Sequence, residues 1–288
     1  AAEPVKASSY LNFIQKFKQY GLDPEASFIA YGLAENTLAV TNYGKVFRRI
    51  DSDQLRMGKA VEVDSKSQNS VSIMSCGKTL GDTQIKIVTT DSIPKEAING
   101  TIGEIWVTGS SKGRGYWNRP QLSDETFNVK LQDDDRLWLR TGDLGFVLED
   151  ELYVCGRLKD MIIIRGLNYY PQDIESIIEE DVRVRKGNVA VFTVDRGVES
   201  ELIAVIGIKN KNKTPEMELI STKILNFFGV RIDKAIFVLA RDVSKTSSGK
   251  IRRGENKRLY QTESFSIIDS YKSKLTAFKK LRNQYLLY

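Results

Sequence analysis

Residues 139–166 read LRTGDLGFVLEDELYVCGRLKDMIIIRG, short apolar runs broken by acids, basic residues and tight-turn glycines. The runs 137–140, 146–148 and 152–154 have the length and composition of strands. The polar turn Glu149-Asp150-Glu151 predicts that the last two form a hairpin. Asp143 and Arg157 then fall at strand ends, held by a sheet and facing loops, where ligand-binding side chains concentrate. On this stretch alone, a plain hairpin with Asp143 as a turn acid after Gly142 is the simpler reading.

The rest of the chain narrows the classes open to it. With 288 residues and 41% hydrophobic content it can bury a real core in one large or two smaller domains. No apolar run reaches the length of a membrane span, and AAEPVKASSY lacks the regions of a signal peptide, so the expectation is no transmembrane segment and a cytoplasmic location. The chain contains no histidine, which excludes histidine-based catalysis and most zinc sites, and Cys76 and Cys155 have no ligand spacing. The formal charge of +6 is unevenly placed: from Arg241 onward there are twelve basic residues against four acids, and the 240 residues before carry 31 against 33. The positive field therefore belongs to the C-terminal end, which should face phosphate or an acidic partner. Nucleic acid is not expected there, because 241–258 carries the charges with a single Tyr-free, Phe-free, Trp-free run and no stacking platform.

Along the chain, Ser8 or Ser9 can cap a helix with Tyr10, Ile14, Phe17 and Tyr20 at helical spacing, stopped by Gly21. A short strand, 28–31, leads into Gly32-Leu33-Ala34-Glu35. Residues 46–69 are polar and aperiodic, an inserted loop or hairpin. Runs 85–89 and 105–108 alternate as antiparallel neighbours do. Gly113 and Gly115 do not complete a GxGxxG fingerprint, and Lys250-Ile251 does not complete a Walker A loop. After the hairpin come a buried-looking strand at 161–164, a helix opened by Pro171 with Ile174, Ile177 and Ile178 on one face, and strands 189–194 and 202–208. A helix capped at Thr214-Pro215 and ended by Gly229 follows, then strand 235–239. This order describes a small α+β domain distinct from the β-rich part before it. Lys250 then sits in the polar, basic loop 241–253, which reads either as a plain solvated charge run or as a mobile segment whose tip is suited to reaching a phosphate, and the tail from Ile267 carries a helical stripe through Ile268, Tyr271, Leu275, Phe278, Leu281 and Tyr285, the pattern of core packing.

Tyr31-Gly32-Leu33-Ala34-Glu35, Gly103-Glu104-Ile105, Gly115-Tyr116, Arg119-Pro120, Thr141-Gly142-Asp143, Gly156-Arg157-Leu158-Lys159-Asp160 and 245–250 stand in one order along the chain. In that order they resemble the adenylate-forming superfamily of acyl-activating enzymes. Ala2-Glu3-Pro4-Val5, the YGLAE form of the tyrosine motif and Ser75-Cys76-Gly77 look most like its fatty acyl-AMP ligases. The resemblance implies an α+β fold: residues 1–158 as the C-terminal part of a large adenylation domain, and 159–288 as a small mobile domain with a basic tail. It implies a ligase that joins a fatty acid to ATP with release of pyrophosphate, leaving an acyl-adenylate, and ATP/AMP and Mg²⁺ as cofactors.

The same resemblance places Glu3, Tyr31, Gly32, Asp143 and Arg157 at the nucleotide, with Tyr31 where the family stacks adenine. Asp143 would accept from both ribose hydroxyls and the Arg157 fork suits ribose and phosphate oxygens. Glu35 falls where a carboxylate holds Mg²⁺, Lys250 at the catalytic lysine, Lys159 at the hinge of the small domain, and Gly166 where a slim loop would let a pantetheine arm pass. Segment 46–69 lies where these ligases carry an insertion that disfavours coenzyme A, so the implied acceptor is an acyl carrier protein or the carrier domain of a polyketide or peptide synthase. Two departures matter: Ala34 stands where many relatives carry threonine, and the family's phosphate loop is missing. The chain is therefore expected to be the C-terminal half of a longer enzyme, unable alone to bind ATP productively. An acyl-CoA ligase, a peptide-synthetase-type adenylation domain and a catalytically silent binding fragment are the alternatives.

Overall fold

The computed structural model describes residues 5–67, 69–132, 134–196 and 199–273. Helices and strands are mixed, in the α+β class expected, and the chain divides into two units, Ala1–Lys159 and Asp160–Tyr288.

In the first unit α1 (Ala7–Lys18) begins a residue before Ser8, with Lys6 rather than a serine at the N-cap. Gly21, at φ 87°, donates to the Lys18 carbonyl and turns the chain away. β1 (Ile29–Leu33) pairs antiparallel with β2 (Leu38–Gly44) across a 3-10 turn at Ala34–Asn36. The strand thus runs past Tyr31 through Gly32. A Cβ on Gly32 would lie 1.8 Å from the Leu38 carbonyl oxygen, so only glycine fits this crossing.

The polar stretch 46–69 is not a plain loop. It holds β3 (Phe47–Asp51) and α2 (Ser52–Arg56), whose N-cap Asp51 accepts from the Asp53 and Gln54 amides, and β3 pairs with β4 (Ser70–Met74). This ribbon has only two strands and buries Ile50 alone within β3, which is why alternation is faint in its sequence. β5 (Lys78–Thr79) extends the β2 edge.

β6 (Gln84–Val88) and β7 (Gly103–Thr108) are the antiparallel neighbours expected. After α3 (Pro120–Phe127), opened by its N1 proline, come β8 (Val129–Leu131), β9 (Asp134–Leu148) and β10 (Glu151–Arg157), giving the sheet order β10-β9-β7-β6. Runs 137–140 and 146–148 are therefore one strand, and Asp143 lies within it, opposite Arg157, instead of at an end. The ladders to β7 and β10 carry the backbone across Thr141-Gly142, where local pattern alone predicts a break. Glu149 and Asp150 make the turn with φ of 51° and 63°, the left-handed pair a two-residue hairpin requires.

The core of this unit packs Tyr31, Val40, Ile87, Ile105, Val107, Leu139 and Leu152, with Trp106 and Trp138 in a second cluster. Beside it, burial pushes the Cys76 thiol up to about 11. At neutral pH its thiolate fraction, and hence its alkylation rate, should be on the order of 10²-fold below that of an ordinary cysteine. Iodoacetamide labelling followed residue by residue by mass spectrometry checks this, and labelling of Cys76 at the rate of a free thiol would contradict it.

In the second unit β11 (Ile162–Ile164) and β12 (Leu167–Tyr169) form a hairpin turned by Arg165 and Gly166, both at positive φ. Run 161–164 is thus half of a small ribbon and not a buried strand, with Ile163 exposed. α4 (Pro171–Ile178) buries Ile174, Ile177 and Ile178 as the spacing predicts. β13 (Val184–Arg196) and β14 (Glu199–Ile208) are an antiparallel pair. α5 (Met217–Phe228) starts later than Thr214-Pro215, with Glu216 at its N-cap, and ends at left-handed Gly229.

β15 (Lys234–Leu239) pairs parallel with β14, α6 (Arg253–Gln261) follows, and β16 (Asp269–Lys272) closes the sheet order β13-β14-β15-β16. Strand alternation sends Val189, Val191, Ala204 and Ile206 to one core with Ile174, Ile178 and Ile224. It sends Ala190, Phe192, Ile203 and Val205 to the other core with Tyr260 of α6. Ile268 and Tyr271 are not on a helix: the β15 edge captures Asp269–Lys272 as a strand. Leu275, Phe278, Leu281 and Tyr285 of the expected stripe lie outside the described residues.

Candidate functional site

The best-organised polar cluster of the first unit is built on Asp143. The register of β9 against β10 sets Asp143 opposite Arg157, and Arg157 Nε donates to Asp143 Oδ1 at 3.1 Å. From β1, the Tyr31 hydroxyl donates to Asp143 Oδ2 at 2.8 Å across 112 residues of sequence. The Asp143 side chain is 13% exposed and that of Arg157 is 53% exposed, so the carboxylate is held from inside and the guanidinium stands on the open side. Burial, and next the Asp143 charge, hold the Tyr31 hydroxyl well above its usual range, so it stays a donor. A carboxylate carries about four lone-pair positions. Tyr31 and Arg157 thus each grip a different oxygen of Asp143.

The turn that aims Asp143 is itself fixed. Thr141 Oγ1 donates to the Ile105 carbonyl at 2.7 Å and accepts the Asp143 amide at 3.1 Å. Glu104, 4% exposed, accepts the Gly142 amide at 3.0 Å, Trp106 Nε1 at 2.9 Å and Arg140 Nε at 3.0 Å. Glu104 belongs to a quoted motif, yet sequence reasoning assigned it no role. Its signal was an acid inside an otherwise apolar strand, which must find donors if buried.

Glu35 follows Tyr31 on the 3-10 turn and accepts the Tyr116 hydroxyl on Oε1 at 2.8 Å, while its own carbonyl accepts the Gly113 amide. Burial, with Glu35 beside it, pushes the Tyr116 hydroxyl up to about 12. Tyr116, like Glu104, stood in a motif without a role. No cluster of three or more histidine, cysteine, aspartate or glutamate side chains poised for a metal occurs among the described residues. Glu35 by itself fits an ion that keeps most of its shell as water and substrate phosphate, which is how Mg²⁺ is ordinarily bound.

Lys159 is exposed on a 3-10 turn, Leu158–Asp160, and is the last residue of the first unit. Lys250 belongs to the second unit. Its loop is a closed hairpin and not a loose tip: Thr246 donates to the Lys250 carbonyl at 2.8 Å, Gly249 to the Thr246 carbonyl at 2.9 Å, and Lys245 bridges Ile251. Gly249, at φ 88°, makes that turn possible. Gly166 shows open space where a Cβ would sit, and its φ of 76° is what demands glycine. The structure therefore brings together Tyr31, Asp143 and Arg157, holds Glu35 by a separate bond and carries Lys250 on the other unit. Glu3 lies outside the described residues.

Comparison with known proteins agrees with the fold. Residues 159–270 match the family model of the Disco-interacting protein 2-like AMP domain. Long-chain-fatty-acid–AMP ligase FadD26 of Mycobacterium tuberculosis is 32% identical over 286 residues, spanning 93% of this chain and 48% of that protein. FadD32 of Mycolicibacterium smegmatis is 32% identical over 292 residues, spanning 88% and 46%. A solved structure among the fatty acyl-adenylate ligases from E. coli and L. pneumophila superposes with a TM-score of 0.78 at 32% identity, over 91% of this chain and 46% of that one. The chain belongs to the adenylate-forming superfamily and corresponds to the C-terminal half of its members. The two relatives named above are long-chain-fatty-acid–AMP ligases, and the chain spans about half their length. No helix among the described residues is long and apolar enough to cross a membrane.

Proposed function

We propose that this chain is the part of a fatty acyl-AMP ligase that holds the nucleotide and delivers the catalytic lysine. The observation that carries the reading is the Asp143 carboxylate, gripped on one oxygen by Tyr31 and on the other by Arg157. In the proposed reaction a fatty acid carboxylate oxygen attacks the α-phosphorus of ATP, the bond to the β-phosphate oxygen breaks, and pyrophosphate leaves. Asp143 accepts the two ribose hydroxyls, Arg157 donates to ribose and phosphate oxygens, and Tyr31 and Gly32 line the adenine side. Glu3 is assigned to the same nucleotide by the resemblance alone. Lys250 opposes the negative charge that builds between carboxylate and α-phosphate. Glu35 would hold Mg²⁺, which when bound neutralises phosphate charge.

Lys159 is the proposed hinge, so that residues from 159 onward swing as a body between adenylation and transfer. The proposed acceptor is the phosphopantetheine thiol of a carrier protein. It is supported by the basic C-terminal end, since carrier proteins are usually acidic, and such association should weaken with salt. Kinship with fatty acyl-AMP ligases and the ordered ribbon at 46–69 support the same acceptor. A cytoplasmic location belongs to the proposal, supported by Cys76 as a free thiol.

The test is pyrophosphate exchange by the complete protein against fatty acids of graded length, then a choice between coenzyme A and a carrier protein. Fatty-acid-dependent exchange is expected, with the carrier thiol preferred. Exchange that depends on an amino acid instead, or equal rates with coenzyme A, would sink the substrate or the acceptor part respectively.

A further inference from the structure

The Lys250 hairpin is bound at its base to the residue that follows the unit boundary. Arg253, two residues past Ile251 and first in α6, turns its fork onto Glu175 of α4, with Nε to Oε1 at 2.8 Å and Nη2 to Oε2 at 2.6 Å. Its remaining nitrogen, Nη1, donates to Asp160 Oδ2 at 3.2 Å. Glu175 also accepts the Val191 amide of β13 at 3.0 Å. All three charged side chains are more than four-fifths buried. The other arm of the hairpin is held by Asn256, fully buried, which accepts the Ser244 amide and donates to the Ser244 and Arg252 carbonyls, each at 2.9 Å. The lysine side chain itself makes no ion pair within its unit among the described residues, so its direction is set by this base and not by a partner of its own.

We infer that Arg253 is a positioning residue for adenylate formation: its bonds to Asp160 and Glu175 make the Lys250 hairpin turn rigidly with the chain that leaves Lys159. The physical requirement is simple. A lysine that must meet a developing charge after a rotation arrives accurately only if nothing between pivot and ammonium can flex, and a misplacement of about 1 Å can cost on the order of 10²-fold in rate. A guanidinium serves here because its planar fork engages two carboxylates at once, which an ammonium cannot do with the same geometry. A buried pair is often no more stabilising than apolar residues of the same shape. Retaining three charges at this joint is thus better explained by geometry than by stability.

The inference rests on the proposed ligase reading, and the test separates the two. Asp160→Asn keeps the Glu175 fork, and the double change Glu175→Met with Arg253→Met replaces the pair by apolar side chains that can still fold. In the 288-residue chain both should retain native circular dichroism while the Thr246, Gly249 and Lys250 amides lose hydrogen-exchange protection. In the complete protein both should lower kcat for pyrophosphate exchange, by on the order of 10²-fold for the double variant, with KM for ATP kept. Transfer from supplied acyl-adenylate to a carrier thiol, which does not use Lys250, should be kept as well. Unchanged protection and unchanged exchange would overturn the inference, and so would an equal loss in both half-reactions, the mark of a structural role. A parent protein that makes no adenylate would refute the ligase reading, while amide protection would still decide whether Arg253 holds the hairpin.

Discussion

Replacing Lys250 by alanine in the complete protein should lower fatty-acid-dependent pyrophosphate exchange by roughly 10²–10³-fold, the usual cost of losing one group that meets transition-state charge. Folding should be spared, because the hairpin is closed by backbone groups and the Thr246 hydroxyl, none of which the truncation removes. The loss should appear in kcat far more than in KM for ATP, since the ammonium opposes charge that grows as the carboxylate attacks. Transfer of a supplied acyl-adenylate to a thiol should proceed at the parent rate. Steady-state exchange assays beside thermal melts check all of this. Exchange within a few-fold of the parent would remove Lys250 from the mechanism.

Glu175→Ala should be the most damaging single change to the second unit. It leaves the Arg253 guanidinium largely buried with only Asp160 as partner and strips the Val191 amide of its acceptor. Breaking a buried pair from one side costs about 3–5 kcal/mol, because a desolvated charge remains uncompensated. Burial pushes the Glu175 carboxyl up and the Arg253 fork opposes that, so the carboxylate depends on its partner as much as the partner on it. With a urea m-value of about 2 kcal/mol/M, the midpoint of this unit should fall by about 2 M. All three tryptophans, Trp106, Trp117 and Trp138, lie in the first unit. Tryptophan fluorescence should therefore keep its parent transition while far-UV circular dichroism gains an earlier one. A shared shift in both signals, or none, would show the pair to matter less than its burial requires.

Much of the site was legible because its motifs are local. Each of Tyr31-Gly32, Thr141-Gly142-Asp143 and Gly156-Arg157 is a few residues whose composition already demands a tight backbone and one charged or aromatic side chain. Helices that bury one face, such as the one carrying Ile174, Ile177 and Ile178, were equally plain, since period 3.6 survives in any sequence that packs a single side. Strand ends were read less well. The local pattern puts Asp143 at a strand end, and it lies inside a strand, because ladders from two neighbours override the break that Gly142 suggests. The segment 46–69 was obscure because its strand β3 buries Ile50 alone, and the expected tail helix gives way at Asp269–Lys272 to a sheet edge that offers backbone partners.

Sequence alone therefore determined the kinds of groups present and their order: a carboxylate after a glycine turn, an arginine at the end of a hairpin, a lysine in a polar basic loop. These follow from short-range composition, which needs no partner to be read. Only the tertiary structure decided which groups meet. Tyr31 reaches Asp143 across 112 residues, Glu104 fixes the turn that aims it, and Arg253 ties the lysine hairpin to Asp160. Hydrogen bonds act over about 3 Å in space, and separation along the chain carries no information about that distance until the sheet register is set.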